Sequence, residues 1–415
     1  MDRVVAVAIA IEALLGLLPH LKMRRLSVMS VPWFVATWLT LELPLHHLAF
    51  SLALGVAGAF VQVPLWVLAL GLVACAAHLA NFLLAQQSAD VFVKALDGFL
   101  PTATHDSLSL ALHQRRRAFR TLPYPFTPRG VRVVRDVQYG PLKKRNFLDV
   151  YVGKSPTLPE GGSRPVLLQV HGGGWTISQK RHQARPLMHS LAAGGWVCVA
   201  INYRLSPWAK FPDHIVDVKR AIAWVKEHVH EFGGDPARIV ITGGSAGGHL
   251  SSLAALTPNH AAFQPGFEDK DTSVAACVPL YGVYDFLDRH GDRRDRSIRA
   301  LLRVVMRSSA EASRAEWEQA SPLSWINRNA PPFFVIHGSD DCLAWVEEAR
   351  RFVAELRKVS KNPVLFAELP RTQHAFEIFH STRTELTIEA VSAFVNEVAG
   401  CSSLLPKLAS REQPS

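Results

Sequence analysis

Apolar positions are spread unevenly along the chain. From Val4 to Ala85 they form long runs broken by few charges, and beyond Gln87 they come as short runs separated by mixed polar stretches. The front runs are Val4 to Leu21, Leu26 to Leu45, and Leu48 to Leu84 with Pro64 inside it. A bilayer-crossing helix needs roughly 20 apolar residues, so the third run is long enough for one tilted span or a hairpin of two. Three or four spans over residues 1–87 are expected. A cleaved signal peptide is disfavoured, because no small-residue cleavage site follows the first run and Pro19 to Arg25 leads straight into the next. Glu12 and Glu42 are costly within hydrocarbon. Each is read as a functional intramembrane carboxylate, a residue near an interface, or one packed inside the bundle.

Beyond residue 87 a basic, proline-rich linker (88–130) is expected, with Pro123, Pro125 and Pro128 as a stiff boundary. Within it Leu108 to Phe119 has the pattern of a basic amphipathic helix, either lying on a membrane surface or forming a solvated linker helix. From residue 131 the period changes. Val131–Tyr139 and Phe147–Val152 read as an opening antiparallel pair; Val166–Val170, Trp196–Asn202, Ile239–Thr242, Val274–Leu280, Phe333–His337 and Val364–Glu368 recur as short apolar strands. Helical stretches lie between most of them: Pro212–His230, Ser245–Leu256, Leu343–Val359 and Glu385–Val398. Such alternation builds a parallel sheet covered on both faces, whose sites open at the carboxyl ends of the strands. The catalytic domain is expected over 131–400, followed by a flexible tail, 401–415.

Charge changes this picture little. The formal net charge is +10, yet the basic residues follow no nucleic-acid motif and cluster instead in Arg115–Lys154 and Arg289–Arg307. Beside an apolar front end, attraction to anionic headgroups is the better use, worth about 1 kcal/mol per basic side chain. Lys22, Arg24 and Arg25 form the strongest basic loop and place it in the cytoplasm; Arg115, Arg116, Arg117 and Arg120 lean the following domain the same way. A multi-pass protein of a bacterial plasma membrane is the expected setting. The cysteines Cys75, Cys198, Cys277, Cys342 and Cys401 are odd in number and widely spaced, suggesting neither a disulfide framework nor a zinc site.

The chemistry centres on Ile239–Ala255. A β-branched run enters Gly243-Gly-Ser245-Ala-Gly247 and leaves into a helix-compatible stretch. Glycines on both sides let strand and helix approach closely and hold the Ser245 hydroxyl clear on a strained turn, the nucleophile elbow of the α/β-hydrolases. The bland alternative is a strand-to-helix turn whose serine only caps the helix. His171-Gly172-Gly173-Gly174-Trp175 follows the strand Val166–Val170, and its unobstructed N–H groups suit a developing oxyanion. A phosphate loop lacks its Lys-Ser/Thr pair and its G-x-G-x-x-G spacing here.

Several ordered motifs make the likeness specific: His171-Gly-Gly-Gly-Trp175, Asn202-Tyr-Arg-Leu-Ser-Pro207, Phe211-Pro212 with Asp217-Val-Lys219, Phe232-Gly-Gly-Asp-Pro236, and Gly243-Gly-Ser-Ala-Gly-Gly248. Together, over about Val131 to Val398, the chain resembles the hormone-sensitive-lipase-like esterases and their bacterial carboxylesterase and feruloyl-esterase relatives. The front end lies outside that resemblance. So does position 208, where the usual acidic residue is Trp208. The resemblance implies an α/β-hydrolase fold of about eight mostly parallel strands flanked by helices, here preceded by an α-helical transmembrane region.

A serine needs a base, and the base an orienting carboxylate, in the chain order Ser, acid, His. The family pattern H-G-x-x-D falls on His337-Gly-Ser-Asp-Asp341, making Asp341 the acid, with Asp340 a turn residue capping the following helix. His374, in Gln373-His-Ala-Phe376, resembles the family's His-x-Phe loop, while His249 and His380 are weaker candidates. The oxyanion would be met by N–H of Ala246 and, as the resemblance implies, by Gly173 and Gly174. No metal or organic cofactor is required.

Residues 285–325 form an insertion the sheet does not need. Ile298, Leu301, Leu302 and Val305 share a helical face opposite Arg299, Arg303 and Arg307. It is read as a cap shaping the acyl pocket and resting on lipid, or as a surface helix with solvated arginines. The expected activity is a membrane-anchored serine carboxylesterase or lipase acting on an ester or lipid-like small molecule. An amide hydrolase of arylformamidase type and a non-catalytic membrane interaction module remain the alternatives; nucleic acid is not an expected partner, and oligomeric state is not legible.

Overall fold

In the computed structural model the described residues are 1–21, 30–115, 121–154, 162–291 and 296–401. The basic loop Lys22, Arg24 and Arg25, the residues Arg116, Arg117 and Arg120, and nearly all of the expected tail lie outside them. The front is helical: α1 (Asp2–Leu17), α2 (Ser30–Glu42), α3 (Pro44–Phe60) and α4 (Leu65–Gln86). Proline punctuates it. Pro44 opens α3, where its missing N–H costs nothing, and Pro64 stands at the N-cap of α4.

Among the described residues two helical stretches are long and apolar enough to cross a membrane, Asp2–His20 and Leu65–Leu96, and α2 with α3 passes only as a pair bent by 85°. Of the run expected as a second span, Leu26–Leu45, the part within the described residues does not qualify alone; residues 26–29 lie outside them. Helix α2 has 13 residues, too few to cross alone, and its Thr37 and Glu42 are bonded to the following domain. The third run does break into a helix pair at residues 61–64, α3 packing along α4 and both along α1.

The stretch expected as a linker is partly built into the catalytic domain. It forms α5 (Ser88–Leu96) and α6 (Thr102–Arg115), whose Ala89, Phe92, Leu96, Leu108 and Leu112 are buried in one apolar cluster with the sheet. Phe92 meets Phe334 edge to face at 6.3 Å, and Phe99 meets Phe394 at 5.1 Å. The amphipathic helix read from 108 to 119, of which residues 116–119 lie outside the described ones, starts earlier and turns Leu108 and Leu112 inward, and Arg115 pairs with Glu389 at 2.9 Å.

Eight strands form one sheet: β1 (Val131–Gln138), β2 (Phe147–Gly153), β3 (Arg164–Val170), β4 (Val197–Ile201), β5 (Gly234–Gly244), β6 (Ala276–Leu280), β7 (Phe333–Gly338) and β8 (Val364–Leu369). Their order is β1-β2-β4-β3-β5-β6-β7-β8, antiparallel at β1/β2 and β2/β4 and parallel elsewhere. Strand alternation divides the core into two layers. Val166, Leu168 and Val170 face one cluster with α8 (Asp213–His228), α9 (Ala246–Leu256) and α12 (Val346–Val359), whereas Leu167 faces the other with α7 (Arg185–Ala193) and α13 (Thr382–Val398). Between β6 and β7 lie α10 (Arg296–Met306) and α11 (Arg314–Gln319).

Burial also neutralises histidines. It holds His171 and His189 down at about 4 and His214 at about 3, from an ordinary 6.5. The unfolded chain takes up these protons below pH 6.5 and the folded chain does not, so stability from these groups is intact above that pH and is lost as pH falls towards 4. Denaturant midpoints of the detergent-solubilised protein should accordingly fall between pH 7.5 and 4.5, and a flat profile would contradict the burial account.

Candidate active site

The turn after β5 is shaped by how closely it passes β3. A Cβ at Gly243 would lie 2.5 Å from the Val170 carbonyl oxygen, and one at Gly247 only 2.0 Å from it. No side chain fits. Between them Ser245 takes φ 59° and ψ −122°, a conformation costing a residue with a Cβ on the order of 1–3 kcal/mol. Its N–H donates to Leu280 O at 3.0 Å, and its carbonyl accepts from His249 N at 3.0 Å to start α9. Ser245 is partly exposed at the carboxyl end of the sheet, while Ala246 is buried behind it.

The glycine-rich loop after β3 lies against this turn, a Cβ at Gly172 falling 3.0 Å from Ser245 Cβ. Gly173 and Gly174 both adopt positive φ, 100° and 56°, which glycine supplies without strain. The N–H groups of Gly173, Gly174 and Ala246 have no acceptor among the described residues. The loop is braced from beneath: Gly172 N donates to Gln183 Oε1 at 2.5 Å, Tyr203 OH to His171 O at 2.9 Å, Ser206 N to Trp175 O at 2.8 Å and Trp175 Nε1 to His249 Nδ1 at 3.1 Å. His249 Nε2 lies 2.7 Å from Ala320 O, so that both ring nitrogens are engaged structurally. The Asn202–Pro207 motif is likewise scaffold, Arg204 binding Asp217 at 2.9 Å and Asp213 at 2.7 Å.

The acid and the histidine come from the loops after β7 and β8. His374 Nδ1 lies 2.6 Å from Asp341 Oδ2, and both side chains are buried. Oδ1 of Asp341 accepts from Leu343 N and Ala344 N, each at 2.8 Å. Asp340 does not cap the following helix, whose N-cap is Trp345 without a side-chain bond; it pairs with Arg371 at 3.0 Å, while Asp341 holds the turn before that helix. Burial opposes ionisation of Asp341, yet the charges and hydrogen bonds of His374 and His337 outweigh it and hold the carboxyl well below the usual carboxylate range.

Gly244, the residue before Ser245, and His374 both lie against Tyr281. A Cβ at Gly244 would strike the Tyr281 ring, and that ring's centroid is 4.5 Å from the imidazole of His374. No hydrogen bond joins Ser245 to His374 in this arrangement, and such bonds commonly tighten only around substrate. Tyr281 OH donates to Glu377, whose carboxyl is raised by burial. His380 pairs with Glu385 at 2.5 Å.

Helix α2 reaches this centre, which no sequence motif announced. Trp38 Nε1 donates to Ala375 O at 2.9 Å, Gln373 Nε2 to Thr37 Oγ1 at 3.2 Å, and Phe34 stands edge-on to His374 at 6.2 Å. Glu42 pairs with the fully buried Arg383 of α13 at 3.3 Å and accepts from Ser381 Oγ at 2.8 Å. The one available signal was Glu42 itself, a carboxylate out of place in an apolar run. On the opposite side α10 buries Leu302, Val305 and Met306 and brings Leu301 to 3.0 Å from a Cβ at Gly174. Its Arg299, Arg303 and Arg307 are exposed, Arg307 donating to Pro207 O, and the neighbouring Trp208 is 82% exposed.

Residues 148–356 match the BD-FAE family. The chain is 50% identical over 296 residues to the "Probable carboxylic ester hydrolase LipM" of Mycobacterium tuberculosis, covering 70% of this chain and 68% of that one. It is 45% identical to "Esterase LipQ" of the same organism over 69% of this chain and 68% of that one. Among solved structures, the thermophilic esterase Est2 of Thermogutta terrifontis aligns with a TM-score of 0.54 at 27% identity, over 70% of this chain and 99% of its own.

Replacement of Gly247 by alanine should abolish folding of the catalytic domain, because the new methyl group and the Val170 carbonyl cannot share one position. Loss of the monodisperse gel-filtration peak in detergent would register this; a folded, active Gly247→Ala protein would contradict the close approach.

Proposed function

The chain belongs to the BD-FAE family, and from that membership we propose that it hydrolyses carboxylic esters through an acyl-serine intermediate, from a membrane-anchored position. The observation that carries the serine mechanism is the 2.6 Å bond between His374 Nδ1 and a deeply ionised Asp341, formed by the loops after β7 and β8 on the same sheet edge as Ser245. Nδ1–H held by the carboxylate leaves Nε2 of His374 as the base.

In this mechanism Ser245 Oγ attacks the ester carbonyl carbon while its proton passes to His374 Nε2. The carbonyl oxygen becomes an oxyanion, met by the N–H groups of Ala246, Gly173 and Gly174. Collapse of the tetrahedral intermediate breaks the C–O bond, and the imidazolium returns its proton to the leaving alcohol. Water, deprotonated by the same imidazole, then attacks the acyl-serine and releases the acid. Asp341 stays ionised throughout and stabilises the imidazolium. Leu301 of α10, above Gly174, gives the acyl chain an apolar wall.

Membrane anchoring is supported by the outward faces of α1 and α4. Val4, Val7, Ile11 and Leu14 on the first and Leu65, Trp66 and Leu72 on the second are exposed apolar side chains, a band suited to lipid rather than water. Helix α2 then acts as a positioning element, linking the anchor to the loop that carries the base.

A fluorophosphonate probe should label the wild-type protein and fail to label Ser245→Ala, whose kcat on p-nitrophenyl butyrate should fall by about 10⁴-fold or more; full activity in that variant would overturn the mechanism. Trp38→Phe removes one hydrogen bond to the loop of the base, so kcat should drop by roughly 5- to 10-fold with KM unchanged. An unaltered kcat would show that α2 has no part in positioning it.

A further inference from the structure

Glu12, His47 and His78 come from three different helices, α1, α3 and α4, and converge on one point inside the front bundle. Glu12 Oε2 lies 3.0 Å from His47 Nδ1 and 3.2 Å from His78 Nε2, and one donor atom from each residue falls within 4.8 Å of the others. From this convergence we infer that the three residues form a binding site for a borderline divalent transition-metal ion of the Zn²⁺ class. The cluster stands apart from the ester chemistry of the other domain.

The donor set selects the ion. Two neutral imidazoles and one carboxylate, with no thiolate, suit Zn²⁺, Co²⁺ or Fe²⁺, whereas Ca²⁺ and Mg²⁺ ask for an all-oxygen shell. Metal–donor bonds of about 2.0–2.1 Å in a tetrahedron put neighbouring donors roughly 3.3–3.4 Å apart, so the two Glu12–histidine spacings of 3.0 and 3.2 Å need only a few tenths of an ångström of expansion, while the two imidazole nitrogens, within 4.8 Å of each other, can close on an ion by ring rotation. His78 is fully buried, and Gly16, one turn beyond Glu12, makes the room it occupies: a Cβ there would sit 3.3 Å from His78 Nε2 and 3.0 Å from Ala77 Cβ. The imidazoles of His47 and His78 stack at 5.1 Å, which holds both rings towards the same oxygen.

Two further features fit an ion. Ser51 Oγ, 3.5 Å from Glu12 Oε2, can donate to the carboxylate and orient it. His47 retains 21% of its side-chain exposure, leaving a path for entry and a fourth position for water. The site would also serve the bundle, since helices in lipid gain no hydrophobic drive towards one another and the dry contact here is small, centred on Ile9, Val63 and Val67. A metal would staple α1, α3 and α4 together.

The test uses the untagged full-length protein in detergent, loaded with Co²⁺ and dialysed. The expected result is roughly one ion retained per chain, with visible d–d absorption bands of low-symmetry four- or five-coordinate Co²⁺ and a raised thermal midpoint. Glu12→Gln and His78→Gln should lose the bands, and His47→Gln, at the partly exposed position, supplies the same loss where the buried substitutions fail to fold. Hydrolysis of p-nitrophenyl butyrate, expected to be unchanged in each, reports that the catalytic domain remains intact. Retention well below one ion per chain, or bands that survive all three substitutions, would overturn the site; so would a thermal midpoint that responds to pH and not to Co²⁺, the signature of a cluster that holds protons alone.

Discussion

The turn after β5 passes the end of β3 so closely that the Val170 carbonyl leaves no space for a side chain at Gly243 or Gly247. That steric constraint brings two backbones into register at the edge of the sheet, one carrying Ser245 and the other the loop Gly172–Gly174. A hydroxyl and a set of free N–H groups are thereby fixed against each other by packing rather than by side-chain contacts. Substituting any part of the arrangement means moving a strand. The strain at Ser245 is sustained because β3, β5 and β6 are held by a continuous parallel ladder on either side.

Around that edge, buried polar groups are satisfied in layers. Tyr203 and Gln183 fix the carbonyl and amide of the glycine loop, and Arg204 in turn is locked by Asp213 and Asp217. Asp341 has the same character. Two backbone N–H groups hold one of its oxygens, and two histidines face the other, so a carboxylate that burial alone would neutralise stays charged. Glu377 accepts from the Tyr281 hydroxyl, and there burial prevails and raises it. Equal depth with different partners gives the two carboxyls opposite protonation tendencies.

The helical front is more than a tether. Arg383 is wholly buried in α13 and finds its counter-charge in Glu42 and a further acceptor in Leu41 O, both on α2. Leaving such an ion without its partner typically costs about 3–5 kcal/mol, far more than an exposed pair is worth. Helices α5 and α6 add apolar contacts to the same face. The proposed anchor and the proposed catalytic domain therefore share one interior, and the loop bearing His374 lies along their seam.

Sequence and tertiary structure divided the determination along physical lines. Periodicity placed the eight strands and the principal helices between them, because inner strands such as β4, β6 and β7 are buried along their whole length and read as short apolar runs, while β1 at the sheet edge mixes buried and exposed positions. The glycines around Ser245 and those after His171 were legible because close backbone approach admits no other residue, whichever fold surrounds them. Distant pairings left no such trace. Nothing local in Glu42 names Arg383, nothing in Trp38 names Ala375, and Glu12, His47 and His78 show no spacing that marks a cluster. The amphipathic stripe of α6 gave its direction but not its partner, since lipid and a protein core are equally apolar to a helix face. What each residue must avoid was written along the chain; which residue it would meet was decided only when the helices packed against the sheet, because contacts across hundreds of positions depend on the assembled shape and not on the order of its parts.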